Sequence, residues 1–146
     1  MTPAAALEQL LHSEIPISRA MGIRVTHYDG ANLTLDAPLE PNFNHKSTAF
    51  GGSLYSLAVL CGWGLLHLKL AEVKLHRHIV IQESNIRYLH PVVQDLHAEC
   101  RLDDTAFKRF LRTLDKHGRA RLSLDVVISQ GNRHAVEFSG LYVVHG

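Results

Sequence analysis

Apolar positions along the chain follow two periods, and the switches between them mark the elements. In "PAAALEQLLHSEIP" the leucines recur at helical spacing, with Pro3 near the start and Pro16 beyond the end. That pattern predicts a short amphipathic helix. "IRVTHYDGANLTLDAPL" holds two runs rich in β-branched residues on either side of Asp29-Gly30, the pattern of a hairpin. Pro38 and Pro41 close its second strand and open a loop that runs to Ala49. From Gly52 to Leu70 apolar residues stand nearly all round a helix, among them Leu54, Leu57, Val59, Leu60, Trp63 and Leu66. A helix apolar on every side is buried on most of them, so this one is expected to be wrapped by a curved sheet.

Beyond the long helix, "HRHIVIQESNIRYLH" predicts a long strand stopped at Pro91, which has no N–H for a ladder. "LHAECRL" predicts another. Phe107, Phe110, Leu111 and Leu114 then stand at i, i+3, i+4 and i+7, with Asp103 or Asp104 placed to cap the start and Gly118 the end. "RARLSLDVVIS" and "RHAVEFSGLYVV", joined through Gln130-Gly131-Asn132, close the chain as a hairpin. The order is helix, two strands, long helix, two strands, short helix, two strands. It defines an α+β fold, one domain over residues 1–146, with an antiparallel sheet around a central helix.

Composition narrows the function. The net charge is +1, so no overall field draws nucleic acid or a membrane surface. Cys61 lies in the long helix and Cys100 in a strand. They read as small buried hydrophobes of a reducing compartment rather than as a disulfide. The first residues lack a basic start and carry Glu8 and Glu14, unlike a signal peptide. The apolar stretch Leu54 to Leu70 is broken by Gly62, Gly64, His67 and Lys69, and reads as too short and too polar to span a bilayer. A soluble cytoplasmic protein is expected. His76 and His78 flank Arg77 with no third ligand at metal spacing, and no Walker or Rossmann glycine pattern occurs. Neither a metal nor a cofactor is expected.

The stretch "NHKSTAFGGSLYSLAVLCGWG", Asn44 to Gly64, carries the candidate chemistry. Gly51 and Gly52 stand at the start of the long helix. A helix N-terminus has unpaired N–H groups and the positive end of the macrodipole, and glycine lets a ligand approach that backbone closely. A carbonyl placed there is polarised, and its oxyanion is stabilised as it forms. The competing reading is that the pair only shapes a turn and a tight crossing. Tyr55, Val59 and Trp63 lie at i, i+4 and i+8 on one stripe, a spacing that most often marks core. His45 and Lys46 share the preceding loop, as a base or as a contact for phosphates, or simply as solvated side chains. Ser53 and Ser56 occupy the first turns and are placed to orient a water. "FGGSLYS" is not the Gly-x-Ser-x-Gly elbow of a nucleophilic serine.

Order and residues together resemble the hotdog-fold thioesterases. "NHKSTAFGGSLYSLA" is similar to the signature of the phenylacetyl-CoA type: an Asn, a short loop, His-Gly-Gly, then a helix carrying an acid. "NIRYLHPV" resembles the family's long-strand ending, and "ARLSLDVVISQGNRHAVEFSGLYVV" its closing hairpin. The nearest subgroup is the bacterial thioesterase domain found alone or behind an acetyltransferase domain. The extra helix at Thr105–His117 also fits that subgroup. Phe50 stands where the signature has His, and Val59 where the helix carries its catalytic acid.

The resemblance implies the hotdog fold and a two-fold dimer paired through the strand Ile79–Leu89, free to pair further into a tetramer. It also implies an acyl-CoA or acyl-carrier-protein substrate. Gly52 or its neighbour Gly51 would hold the carbonyl. Asn44 would place the water or the carbonyl, unless it only bonds its own turn. The Tyr55–Val59–Trp63 stripe, beside Phe50, would line an acyl pocket. In hotdog dimers the strand of one subunit faces the helix mouth of the other, so Ser84 or Asn85 would complete the site in trans. On strict alternation Gln82, Ser84, Ile86 and Tyr88 share one face and Glu83, Asn85 and Arg87 the other. Glu83 is the nearby carboxylate that would replace the acid missing at Val59. The expected activity is thioester hydrolysis. The alternative is a catalytically weak acyl-thioester binding module. A hydroxyacyl-thioester dehydratase ranks last, because the motif histidine is absent.

Overall fold

The computed structural model describes all 146 residues. The chain begins with α1 (Pro3–Glu14), whose Thr2 hydroxyl accepts the Ala5 N–H at 3.1 Å with Pro3 at the first helical position. Pro16 does not trail free beyond that helix. It opens a second short one, α2 (Pro16–Ala20), because a proline with fixed φ and no N–H suits a first helical turn. β1 (Arg24–Tyr28) and β2 (Asn32–Ala37) form the expected hairpin. At its turn the Asp29 carboxylate accepts the Ala31 and Asn32 N–H groups, and Gly30 takes φ +95°.

The central helix α3 runs from Gly51 to Glu72. Its 22 residues make it, by length and composition, long enough to cross a bilayer, longer than the broken pattern had suggested. Its apolarity has another use here, since most of it is buried against the sheet. The remaining elements are β3 (His78–Tyr88), β4 (Leu96–Arg101), α4 (Asp104–His117), β5 (Ala120–Gln130) and β6 (Arg133–His145). Asp103 caps α4 by accepting the Ala106 N–H at 2.8 Å, and Gly118 ends it at φ +70°.

The six strands form one antiparallel sheet in the order β1-β2-β4-β5-β6-β3, curved around α3. Two glycines let helix and sheet meet. A Cβ on Gly62 would overlap the Tyr142 ring, and the Tyr142 hydroxyl donates to the Val59 carbonyl at 2.7 Å. Gly64 lies against Leu7 and Leu33, so α1 and β2 close over the helix there. Cys61 and Cys100 are buried and free.

The two sheet edges differ. The β1 edge is covered in part by α1, whose Glu8 carboxylate accepts the Val25 N–H at 2.8 Å. The β3 edge is bare, and β3 does not alternate strictly. Its register against β6 shifts between Ile81 and Glu83, leaving Gln82 as the extra residue of a bulge. Ile79 and Ile81 therefore share the inner face with Ile86, and the four-residue face that began at Gln82 is corrected to Ser84, Ile86 and Tyr88.

Candidate active site

β3 runs back alongside α3, tied to it at three points. Tyr88 donates its hydroxyl to the Gly51 carbonyl at 2.9 Å. The Tyr55 hydroxyl and Ser84 Oγ share a hydrogen bond of 2.5 Å. Trp63 donates its indole N–H to the Ile79 carbonyl at 3.2 Å. These ties hold an edge strand against one stripe of the helix. Along that stripe Tyr55, Val59, Trp63 and His67 are only half-buried, whereas Leu57, Ala58, Leu65 and Leu66 on the other sides are wholly inside. Spacing alone assigns such a stripe to core; here it is the one face of α3 that the fold does not close.

The mouth of α3 lies at the Tyr88 end of that seam. Phe50 takes the N-cap position with extended backbone and no side-chain cap. Its N–H donates to the Asn42 carbonyl at 2.7 Å, and its own carbonyl accepts from both Ser53 and Leu54 at 3.0 Å. Of the first N–H groups, those of Gly51 and Gly52 have no partner. They are the helix's orphan donors at the positive end of its dipole. A Cβ on Gly52 would overlap the Phe50 ring, itself 56% exposed. Phe50, in the place of the signature histidine, thus folds back over the glycine as an exposed apolar cover and supplies no proton. Beside the mouth lies a groove of about 310 Å³, lined by Thr48, Ala49, Leu54, Tyr88 and Pro91 among others, with no carboxylate. Burial, with Tyr55 a lesser cause, holds the Tyr88 hydroxyl above its ordinary range, so it remains a neutral donor.

The loop before the mouth is built on two asparagines. Asn44 Oδ1 accepts the N–H of Lys46 at 2.8 Å and of Thr48 at 3.2 Å, and its Nδ2 donates to the Thr48 hydroxyl at 2.9 Å. Its side chain is engaged in the turn, which carries Ser47 at φ +63°. Asn42, not singled out by the pattern, is buried and donates to the Met21 and Pro38 carbonyls at 2.8 Å. Pro38 and Pro41 pointed to a loop but could not show which asparagine anchors it. The Glu40–Pro41 peptide is cis.

The structure brings together Gly51, Gly52, Phe50, Ser53, Tyr55, Ser56, Val59, Trp63 and Ser84 at or along the seam. His45 and Lys46 are exposed loop residues whose side chains bond nothing. Glu83 and Asn85 are not brought to the mouth. They line the outer face of the sheet with Ser123 and Ser139. The cysteines are no nucleophiles: burial pushes the Cys100 thiol up to about 12 and raises that of Cys61 strongly.

A curved antiparallel sheet wrapped on one long helix is the hotdog architecture. Within it the chain belongs to the putative thioesterase family (yiiD_Cterm), whose model matches residues 4–146. The chain is similar to a protein of unknown function from Chlorobaculum tepidum, 36% identical, with 97% of this chain and 93% of that one covered and a TM-score of 0.92. It is also similar to a putative thioesterase from Shewanella oneidensis, 33% identical, covering 99% of this chain and 98% of that one at a TM-score of 0.90. A thioesterase from Haemophilus influenzae, 15% identical with 99% and 91% covered, shares the fold at a TM-score of 0.76.

Proposed function

We propose that the protein hydrolyses acyl thioesters at the N-terminus of α3. The observation that carries this reading is the pair of unpartnered N–H groups on Gly51 and Gly52, which opens on the half-covered stripe of Tyr55, Val59 and Trp63. Water adds to the thioester carbonyl carbon. The carbonyl oxygen takes the negative charge and accepts from those N–H groups. Collapse breaks the C–S bond, releasing a carboxylic acid and a thiol that takes a proton from solvent. The acyl chain lies along the stripe. Asn44 serves by holding the loop that shapes the mouth, and the Tyr55–Ser84 hydroxyl pair is a polar couple on the stripe one turn beyond it.

A second copy completes this site. The bare β3 edge exposes Val80, Tyr88 and Leu89, and an unpaired edge of that length is a template for pairing. Antiparallel β3–β3 pairing gives an isologous dimer and closes the open stripe. Such pairing continues the sheet, so each residue keeps its face. Ser84 stays inside, while Glu83 and Asn85 stay outside, away from both mouths. Light scattering that found a monomer at micromolar concentration would remove this part of the reading.

The weak-binder reading has its own support: Val59 occupies the acid position and no carboxylate lines the mouth groove. Val59→Asp separates the two, measured as steady-state turnover on acyl-CoAs of graded length. A carboxylate at this half-exposed position raises kcat by about tenfold or more where it can take a proton from water, within the usual range of general base catalysis. A folded variant that binds acyl-CoA and gains no hydrolysis would move the assignment to a binding module.

A further inference from the structure

The near-neutral net charge hides an asymmetry. Six of the chain's 15 Lys and Arg fall between Lys108 and Arg121, with Asp115 the one carboxylate among them. The rest of the chain carries nine cations against 13 carboxylates. All six side chains are exposed, and none forms an ion pair. On α4 the buried line is Phe107, Phe110 and Leu114. Lys108, Arg112 and Lys116 stand at i, i+4 and i+8 on the opposite, outermost line, with Arg109 beside them. Like charges at that spacing repel. The stripe covers about 12 Å of helix at the usual rise and continues through Arg119 and Arg121 at the start of β5.

We propose that this stripe docks an acidic acyl carrier protein and that the thioester substrate is the carrier-bound form. The inference rests on the hydrolase reading above. The stripe is long, convex and divergent, which suits the face of another macromolecule. The phosphates of coenzyme A would need convergent cations, and the groove of about 420 Å³ beside the stripe, between Thr113, His117, Arg119 and Arg121, offers one apolar residue, Ala120. A long polyanion or a membrane would overrun the stripe onto a net-negative surface. A compact domain that presents one acidic helix face to the stripe does not. Carrier proteins are small acidic helical domains that hold their acyl group on a long phosphopantetheine arm.

The position of the stripe fits delivery across the dimer. Ala120 pairs with Val144, and His145 with His78, so the start of β5 lies at the His78 end of β3. The mouth lies at the Tyr88 end. Antiparallel β3–β3 pairing sets the His78 end of one copy beside the Tyr88 end of the other. β5 is two strands from β3, about 10 Å at the usual strand spacing. A carrier on the partner's stripe is therefore placed to extend its arm into this copy's mouth.

The test compares octanoyl-CoA with the octanoyl form of a bacterial acyl carrier protein, on the wild-type chain and on K108E/R112E/K116E. All three positions are exposed, and the milder K108A/R112A/K116A serves if the reversal misfolds. On the carrier substrate kcat/KM falls at least about tenfold in the reversal, and the wild type's steep salt dependence flattens. On octanoyl-CoA it changes by less than about twofold. Equal loss on both substrates, or no loss on either, overturns the proposal. So does retention on an anionic vesicle or a DNA duplex that exceeds binding of the carrier and is lost in the reversal. If the wild type cleaves neither substrate, the hydrolase reading falls. Titration of the octanoyl-carrier against both proteins then decides docking: binding lost in the reversal supports it, and equal binding overturns it.

Discussion

At its C-terminal end α3 carries Lys69, which is buried; at its N-terminal end it carries Gly52, which is open to solvent. The Lys69 ammonium donates to the Gly30 carbonyl at 2.7 Å and pairs with Asp104 at 3.2 Å, and it sits 5.0 Å above the Phe107 ring. One turn later Glu72 accepts the Tyr28 hydroxyl. These contacts join α3 to the β1–β2 turn and to α4, and the cation also suits the negative end of the dipole. At the other end the cap is an exposed phenylalanine, and two N–H groups are left over. One end uses its polar groups to close the fold. The other leaves two of them without a partner in the fold. A buried charge therefore marks structure here, and the absence of a cap marks the proposed site.

Gly52→Val is the sharpest way to break that contrast. The atoms nearest its Cβ belong to the Phe50 ring, which is exposed enough to swing out, so stability is expected to change by less than about 1 kcal/mol, within the range of surface substitutions and caps. Close approach to the Gly52 N–H is lost, and turnover falls by about 10²–10³-fold, as for an oxyanion donor. Normal thioester turnover in a folded Gly52→Val protein would place the chemistry elsewhere.

Lys69→Met tests the closed end, with a smaller effect of another kind. Methionine keeps much of the packing on Phe107 but leaves the Gly30 carbonyl without its donor. Asp104 is 80% exposed, so water takes over its charge, and the cost comes from the carbonyl: about 1–3 kcal/mol. A urea midpoint measures it, while kcat of the folded protein stays within about twofold of wild type. A turnover defect with unchanged stability would show that the two ends are not separable.

The contrast was half legible in the sequence. The strand runs, the Asp29-Gly30 turn, the cap at Asp103 or Asp104 and the glycine pair are local signals; the cap falls on Asp103, and the long helix begins at Gly51, one residue earlier than its pattern put it. The burial of Lys69 was not legible, because its acceptor is a carbonyl 39 residues away and a lysine near a helix end normally reads as its solvated limit. The β3 bulge left a trace that alternation alone passed over. The isoleucines at 79 and 81 and the one at 86 change parity, and only an extra residue between them puts all three on one face. Gly62 gave no hint of Tyr142, its partner in the tight crossing, because the two meet only once β6 has folded over the helix.

His67 sharpens the comparison most finely, since it sits on the open stripe but near the closed end. Its ring stacks on Trp63 at 5.1 Å and 9°, and it borders the groove formed by His76, Arg77 and His78. Burial first, and His76 second, lower its pKa, so the fold favours the neutral ring. The unfolded chain takes up the proton near the ordinary imidazole value of about 6.5. Below that value the unfolded state binds more protons than the native one, and stability falls as pH falls. The contribution is complete above about pH 6.5 and is lost as acid is added. His67→Phe keeps an aromatic ring on Trp63 and removes the titration. Thermal midpoints at about pH 7.5 and 5.5, taken for both proteins, cancel the background of the other histidines. The drop is expected to be measurably smaller in His67→Phe. Equal drops would mean that protonated His67 is as well accommodated in the fold as in the unfolded chain, and that the stripe is wet along its whole length rather than closing toward Lys69.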